Sequence, residues 1–492
     1  MNASTLKSHN DQWCGARFGT MGFVAAFLGT FAAATLVPSN VSTRGALFVP
    51  AAVMAISFLF VPAVSSIGNL RNVFRAENIA ASSLVYWVLL DLLQGSYPLE
   101  NVSAETARFS LILTGTFVSF LWVGVMLPAL RAPQSLTSIA KARVPSSAVF
   151  RTIVVFFILC MLRFAISCKF DFVLMFSSLS KGRFSTPWAA SHTGGLSAVL
   201  DHLSYFGYLL PALTVVLHNR LPGFRRQVIL SILMSLIAMA FIASGGGRRI
   251  CGVMILAALG TWVLSRRTIR IQHAILSVSL ILGLLVLMQF LLLVRSFGLE
   301  NTDGQPAFQR ALSAFTGEKN ENTSKYDHIH VDDNFLRICQ IVKIVPESHP
   351  HVYHKYIWWV LVRPIPRIIW PGKPEDGGFN LTEEVDAQAS LSSSIVGELY
   401  LSYGFVAVAL GGFLFGRLST LPSVFYKFPH DSLGPLMAGY LSMVLLVGAR
   451  SMIELILFSY SIIFLVVGSR WIKFSPVRKQ KIIGKQVHRQ CA

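Results

Sequence analysis

Charge is scarce in this 492-residue chain: 13% of its positions are Asp, Glu, Lys or Arg, while 53% are apolar. A water-soluble enzyme of this length needs roughly twice that share of charge to cover its surface, so the composition excludes one. Acid is the scarcer sign, with 23 Asp+Glu against 42 Lys+Arg and a formal net charge of +19. In a soluble protein such an excess would point to nucleic acid. Here the basic residues stand in short segments between long apolar runs, so the membrane surface is the implied partner and nucleic acid is not. Cysteine is sparse too: six residues, Cys14, Cys160, Cys168, Cys251, Cys339 and Cys491, too scattered for a disulfide framework or a zinc site. Also missing is an internal repeat of the kind that inverted-repeat transporters carry, which weighs against a transporter.

What the chain has is apolar length. About 20 apolar residues in a helix cross a hydrocarbon core of about 30 Å. By that rule twelve spans are predicted, at 18–37, 46–64, 79–95, 109–130, 147–167, 196–217, 227–244, 250–265, 274–294, 396–416, 433–449 and 451–468. The first run also reads as a signal peptide, because Ala32-Ala33-Ala34 has the small residues of a cleavage site. One alternate set of short gaps and tails holds 22 Lys/Arg and the opposite set holds 8, which places both termini in the cytoplasm. The expected fold is an all-α polytopic membrane protein. Residues 1–294 form an N-terminal bundle of nine spans, 295–395 a large, partly helical outer loop, 396–468 the last three spans, and 469–492 a basic cytoplasmic tail on anionic lipid.

The outer loop carries 13 of the 23 acidic residues, 10 Lys/Arg and five of the 12 histidines. A structureless loop of that length would be unusual, so it is expected to be functional and partly folded. Helix-like apolar spacing marks 305–315 and 334–346, and His354 to Val362 reads as an interfacial or re-entrant segment. Its most distinctive stretch runs from Arg363 to Pro374, with four prolines in eleven residues. Prolines exclude a regular helix and favour extended backbone, which would display Arg363, Arg367 and Lys373 around Trp370. Guanidinium forks grip phosphate and an indole face stacks on sugar, so the strip suits a phosphorylated, lipid-linked saccharide; a plain anchor on lipid headgroups is the other reading. Ser244-Gly245-Gly246-Gly247-Arg248-Arg249 forms an outer turn whose glycines let backbone N–H groups approach an anion, with both arginines at the start of the next helix. The alternative there is a tight turn with snorkelling arginines.

Glu398 stands where span ten begins on the outer side and fits a general base, an arginine clamp or a dipole-favoured helix carboxylate. Arg450 and Glu454 are four apart and read as a structural pair. Asp201 and His202 read as a cap or polar contact; Asp91, Arg151 and Arg163 read as packing contacts or snorkelled charges. The loop histidines His328, His330, His349, His351 and His354, with Asp332 and Asp333, match no metal spacing, and no metal or cofactor is expected.

Taken together, these segments resemble the O-antigen polymerase family, the Wzy-type oligosaccharide repeat-unit polymerases. The resemblance rests on Gly246-Gly247-Arg248-Arg249, Asp333-Asn334, Val345-Pro346, the run from Pro366 to Pro374, and Gly397-Glu398-Leu399-Tyr400-Leu401-Ser402-Tyr403-Gly404. It covers about residues 245–416, and the doubled Asp332-Asp333 departs from its single aspartate. It implies a metal-independent membrane glycosyltransferase of the bacterial inner membrane, polymerising repeat units carried on undecaprenyl pyrophosphate at the periplasmic face. The growing glycan would move to a hydroxyl of the incoming unit. On that reading Glu398, Arg248 and Arg367 are catalytic, and Arg249, Arg363, Trp370, Lys373 and Asp333 bind substrate. The partners are lipid-linked oligosaccharides, membrane lipids and a chain-length regulator. The alternatives are a flippase or exporter of lipid-linked oligosaccharides and a glycan ligase of the same class.

Overall fold

Long apolar runs with no polar neighbour to satisfy backbone N–H and C=O groups must form helices, which bond internally. The computed structural model bears this out. It describes residues 15–67, 69–95, 102–181, 185–189, 197–221, 225–245, 247–266, 269, 271–297, 331–367, 369–384, 391–428 and 430–471, and among them there is no strand. The main helices are α1 (Gly15–Thr35), α2 (Phe48–Ile67), α3 (Ala76–Leu93), α4 (Ala104–Met126), α5 (Ser146–Ser167), α6 (Leu200–Arg220) and α7 (Arg226–Ser244). They continue with α8 (Arg248–Leu264), α9 (Ile271–Phe297), α10 (Asn334–Ile344), α11 (His354–Val362), α12 (Ser394–Ser423), α13 (Gly434–Gly448) and α14 (Met452–Trp471). Eight of these, α1 to α7 and α12, are long and apolar enough to cross a membrane. Shorter apolar helices within α8, α9, α13 and α14 occupy the remaining four predicted positions. The chain is an α-helical membrane protein. Expected helix 305–315 and the tail from 472 lie outside the described residues.

Two apolar cores divide the bundle. One joins α1 to α4 with α10, α11 and α12; the other joins α5 to α8 with α13 and α14. The first is drawn together by small residues. On α12, Gly412 and Gly416 lie four apart and so share a face, which rests directly on the α4 backbone. A Cβ at Gly416 would sit 2.0 Å from the carbonyl oxygen of Leu121, and one at Gly412 would sit 2.3 Å from that of Phe117. Backbone cannot yield as a flexible side chain can. Gly416→Ala is therefore expected to destabilise the protein by about 2 kcal/mol, read as a lowered thermal midpoint in detergent; an unchanged midpoint would show that the two helices separate freely.

The connecting segments gather at two opposite ends, in the two sets that the basic residues distinguish. At one end, Arg71 donates to Leu264 O, Arg220 to Asp431 O, and Arg417 to Gly124 O and Pro128 O. At the other, the Asn334 amide donates to Trp87 O, and Ile395 N–H to Ala449 O.

Two helices depart from regularity at that second end. In α3, Val85–Leu89 winds as a π-helix, a local widening common beside functional sites. In α12 the helix breaks at Tyr403 and Gly404, where Gly404 has φ +67°, a conformation glycine adopts without a Cβ penalty. This corrects the single span expected over 396–416. In one straight helix Leu399 and Gly411 would stand about 18 Å apart. Instead, a Cβ on Gly411 would meet Leu399 Cδ1 at 2.3 Å. The arm 394–402 is folded back along the arm from 405 onward. Its last carbonyls, Leu401 O and Ser402 O, accept from Val352 N–H and Tyr353 N–H at 3.1 and 2.9 Å, so the loop supplies the donors that the break removes.

Candidate active site

The strongest polar cluster assembles at this end, where both cores meet. Gly247 caps α8, Arg248 heads it and Arg249 follows, as the glycine-rich turn predicted. The Arg248 side chain lies outside the described part. Arg249 Nη1 reaches Asp332 Oδ2 at 3.2 Å and Glu454 Oε1 at 3.8 Å. From the break between α13 and α14, Arg450 Nε reaches the same Asp332 oxygen at 2.8 Å, and its Nη1 reaches Glu454 Oε1 at 2.7 Å. Two arginines thus share two carboxylates in a closed ring of alternating charge. The Arg450 guanidinium also lies 5.9 Å from the centre of the Trp87 ring on the π-turn.

Asp332 and Asp333 hold positions that non-glycine residues avoid, with φ of 126° and 54°. Each such residue costs on the order of 1–3 kcal/mol and persists only when its surroundings enforce it. The enforcing group is Asp91 at the end of α3, which is buried and accepts from the backbone N–H groups of Val331 and Asp333. Asp333 turns away to Arg337, one turn along α10, at 3.8 Å. Of the doubled aspartates, Asp332 is the one in the ring.

Beside the ring lies a cavity of about 520 Å³, lined by Arg163, Trp188, Asp201, Tyr205, Tyr208, Gly245, Gly247, Glu454 and neighbouring apolar groups. Arg163 pairs with Asp201 on its wall. Two buried polar atoms of the lining residues have no hydrogen-bond partner among the described residues: Glu454 Oε2, an acceptor, and Trp188 Nε1, a donor. Arg363 lies close enough to Tyr205 and Tyr356 for its charge to act on both hydroxyls. Arg163, Arg249, Arg363 and Arg450 therefore surround one region, and all four come from segments far apart in the chain.

The proline strip differs from expectation. Rather than extending, 363–374 folds as successive turns, with Ile365 N–H donating to Val362 O, Ile369 and Trp370 N–H to Pro366 O, and Lys373 N–H to Trp370 O. Proline fixes φ at the value these turns require but removes an N–H donor. The strip's own cations donate instead. Lys373 Nζ binds Arg363 O at 2.6 Å and Ile365 O at 2.8 Å, while Arg367 binds Lys373 O and Pro374 O. Lys373 is 6% exposed. Burial, with Arg363 and Arg367 beside it, draws its ammonium below the ordinary lysine range. Arg367 and Lys373 are thus engaged in holding the loop. Arg363 remains exposed over the Trp359 ring at 5.0 Å, and Trp370 meets Trp358 edge-on.

Glu398 is also placed differently. Instead of leading into a span, it sits on the folded-back arm of α12 and caps the N-terminus of α14. Its oxygens accept from Ser451 Oγ at 2.6 Å and Met452 N–H at 2.7 Å, and the Tyr356 hydroxyl also bonds to it. Burial and this carboxylate push the Tyr356 hydroxyl well above its usual range, keeping it a donor. Asp332, Arg450 and Glu454 were not assigned to the site from sequence. The i,i+4 spacing of Arg450 and Glu454 gave the pair correctly; nothing local gave its meeting with Arg249.

No known protein family, curated protein or solved structure matches this chain.

Proposed function

We propose that this chain is a bacterial inner-membrane glycosyltransferase that polymerises oligosaccharide repeat units carried on undecaprenyl pyrophosphate. Twelve helices cross the bilayer, both termini are cytoplasmic, and the 331–393 segment lies on the periplasmic side. The observation that carries this reading is the meeting of Arg249 and Arg450 on shared carboxylates beside the 520 Å³ cavity. The resemblance of the glycine-arginine turn, the proline strip and the Gly397–Gly404 run to the O-antigen polymerases supplies the substrate class. With no metal required, guanidinium groups stabilise charge on a departing diphosphate.

In the reaction, the bond between the anomeric carbon of the growing glycan and its diphosphate oxygen breaks. A hydroxyl oxygen of the incoming unit forms the new bond to that carbon. Arg249 and Arg450 exchange a carboxylate for the lipid diphosphate and take up the charge left on it. Glu454 receives the hydroxyl proton: it is among the residues that line the cavity, and its Oε2 has no hydrogen-bond partner among the described residues. Losing its guanidinium contacts to the diphosphate makes Glu454 a stronger base once substrate is in place. Asp91 and Asp332 are positioning groups, and Trp188 Nε1 is left to donate to a sugar oxygen.

Purified protein given one synthetic lipid-linked repeat unit is expected to produce a glycan ladder, with EDTA leaving it unchanged. Glu454→Gln and Arg249→Ala are each expected to leave only the single unit, at unaltered elution volume. Ladders of normal length from both variants would refute the assignment.

A further inference from the structure

A cavity of about 710 Å³ lies at the opposite end of the bundle, between α1, α3, α4 and α12. We propose that it binds the phosphoethanolamine headgroup of an aminophospholipid from the leaflet on the basic-loop side. Its inner corner is built to accept hydrogen bonds. Glu77 lines it, its side chain 2% exposed; Oε1 is held by Arg75 at 3.3 Å and by the Ser423 hydroxyl, whereas Oε2 is buried without a partner among the described residues. The C-terminal ends of α4 and α12 also reach this cavity, through Met126 and Ser423. Terminal carbonyls and the negative ends of two helix dipoles favour a cation there.

Cations in the same lining favour an anion as well. Arg75, fixed over the Tyr426 ring at 5.2 Å, and Lys427, exposed at the rim, both line the cavity. A group carrying one phosphate and one ammonium, a few ångströms apart, meets both halves. A choline headgroup has no N–H to give Glu77, and a glycerol headgroup has no positive charge for the helix ends. Apolar Val125, Met126, Leu127 and Val424 share the lining, and Leu127 is exposed, which suits contact with acyl chains. This inference is independent of the reaction proposed above, which lies at the other end.

The test uses full-length protein in detergent, with native mass spectrometry and thermal unfolding in the presence of dioleoyl phosphatidylethanolamine, phosphatidylglycerol or phosphatidylcholine. Wild type is expected to retain one phosphatidylethanolamine at least tenfold more tightly than the others, and to gain several degrees of thermal midpoint with that lipid alone. Glu77→Gln is expected to lose the preference. Ala129→Phe, which fills the cavity without touching the buried network, is expected to lose retention altogether, so a folding defect at Glu77 does not decide the outcome. Equal retention of all three lipids, or an intact preference in either variant, overturns the proposal. Soluble phosphoethanolamine binding as tightly as the lipid overturns the membrane as the source.

Discussion

Arg450→Ala is expected to abolish polymer while leaving a protein that still inserts and can be purified. The side chain is 10% exposed and bonds both Asp332 and Glu454. Its loss leaves two carboxylates facing one guanidinium in a largely buried place. Breaking such a pair from one side costs on the order of 3 kcal/mol, a drop of several degrees in thermal midpoint. The effect on polymerisation is expected to be larger, about 10³-fold, because in the proposed reaction the same cation stabilises the departing diphosphate. A second substitution separates these effects. Adding Asp332→Asn removes one of the two carboxylates that Arg450 leaves uncompensated and should recover part of the lost stability, yet polymer should stay absent. Polymer returning along with stability would make Arg450 purely structural. Arg450→Lys keeps the charge but not the fork that spans two partners, and should fall between.

Glu398 is expected to behave in the reverse manner, with a stability effect first. Glu398→Ala strands the Ser451 hydroxyl, the Met452 N–H and the Tyr356 hydroxyl in a buried place. Unpaired buried groups cost about 1–3 kcal/mol each, so a loss of about 3 kcal/mol and a poorly formed start of α14 are expected. Glu398→Gln keeps one acceptor and should cost about half as much. Polymerisation by the glutamine variant should then track its folded fraction. A glutamine variant of normal stability that makes no polymer would return Glu398 to the chemistry.

Much of the fold is legible in the sequence because hydropathy is a local sum. Each predicted span overlaps a helix among the described residues, α12 with a break in it, and the contacts between connecting segments fall at two ends of the bundle. The break in α12 escaped because Tyr403 and Gly404 sit inside an apolar run, and apolarity does not register a change in φ. The close approach of α4 and α12 was written in Gly412 and Gly416, four residues apart, and was readable in principle. The site was half legible. Arg249 at the start of α8 and the Arg450–Glu454 pair follow from helix spacing. That Asp332 joins them depends on Asp91, over 200 residues away, holding strained backbone in place. In the proline strip, four prolines remove N–H groups, and the nearest cations, Arg367 and Lys373, donate in their place.

The capping of α14 by Glu398 imposes an order on biosynthesis. Arg450, Ser451 and Glu454 leave the ribosome after every other member of the cluster, and the carboxylate that nucleates their helix waits 53 residues upstream. A nascent chain still emerging from the insertion machinery therefore has part of the cavity wall but neither Arg450 nor Glu454. On the proposed function, activity would begin only once α14 has entered the membrane, and half-made chains would leave lipid-linked precursor unused.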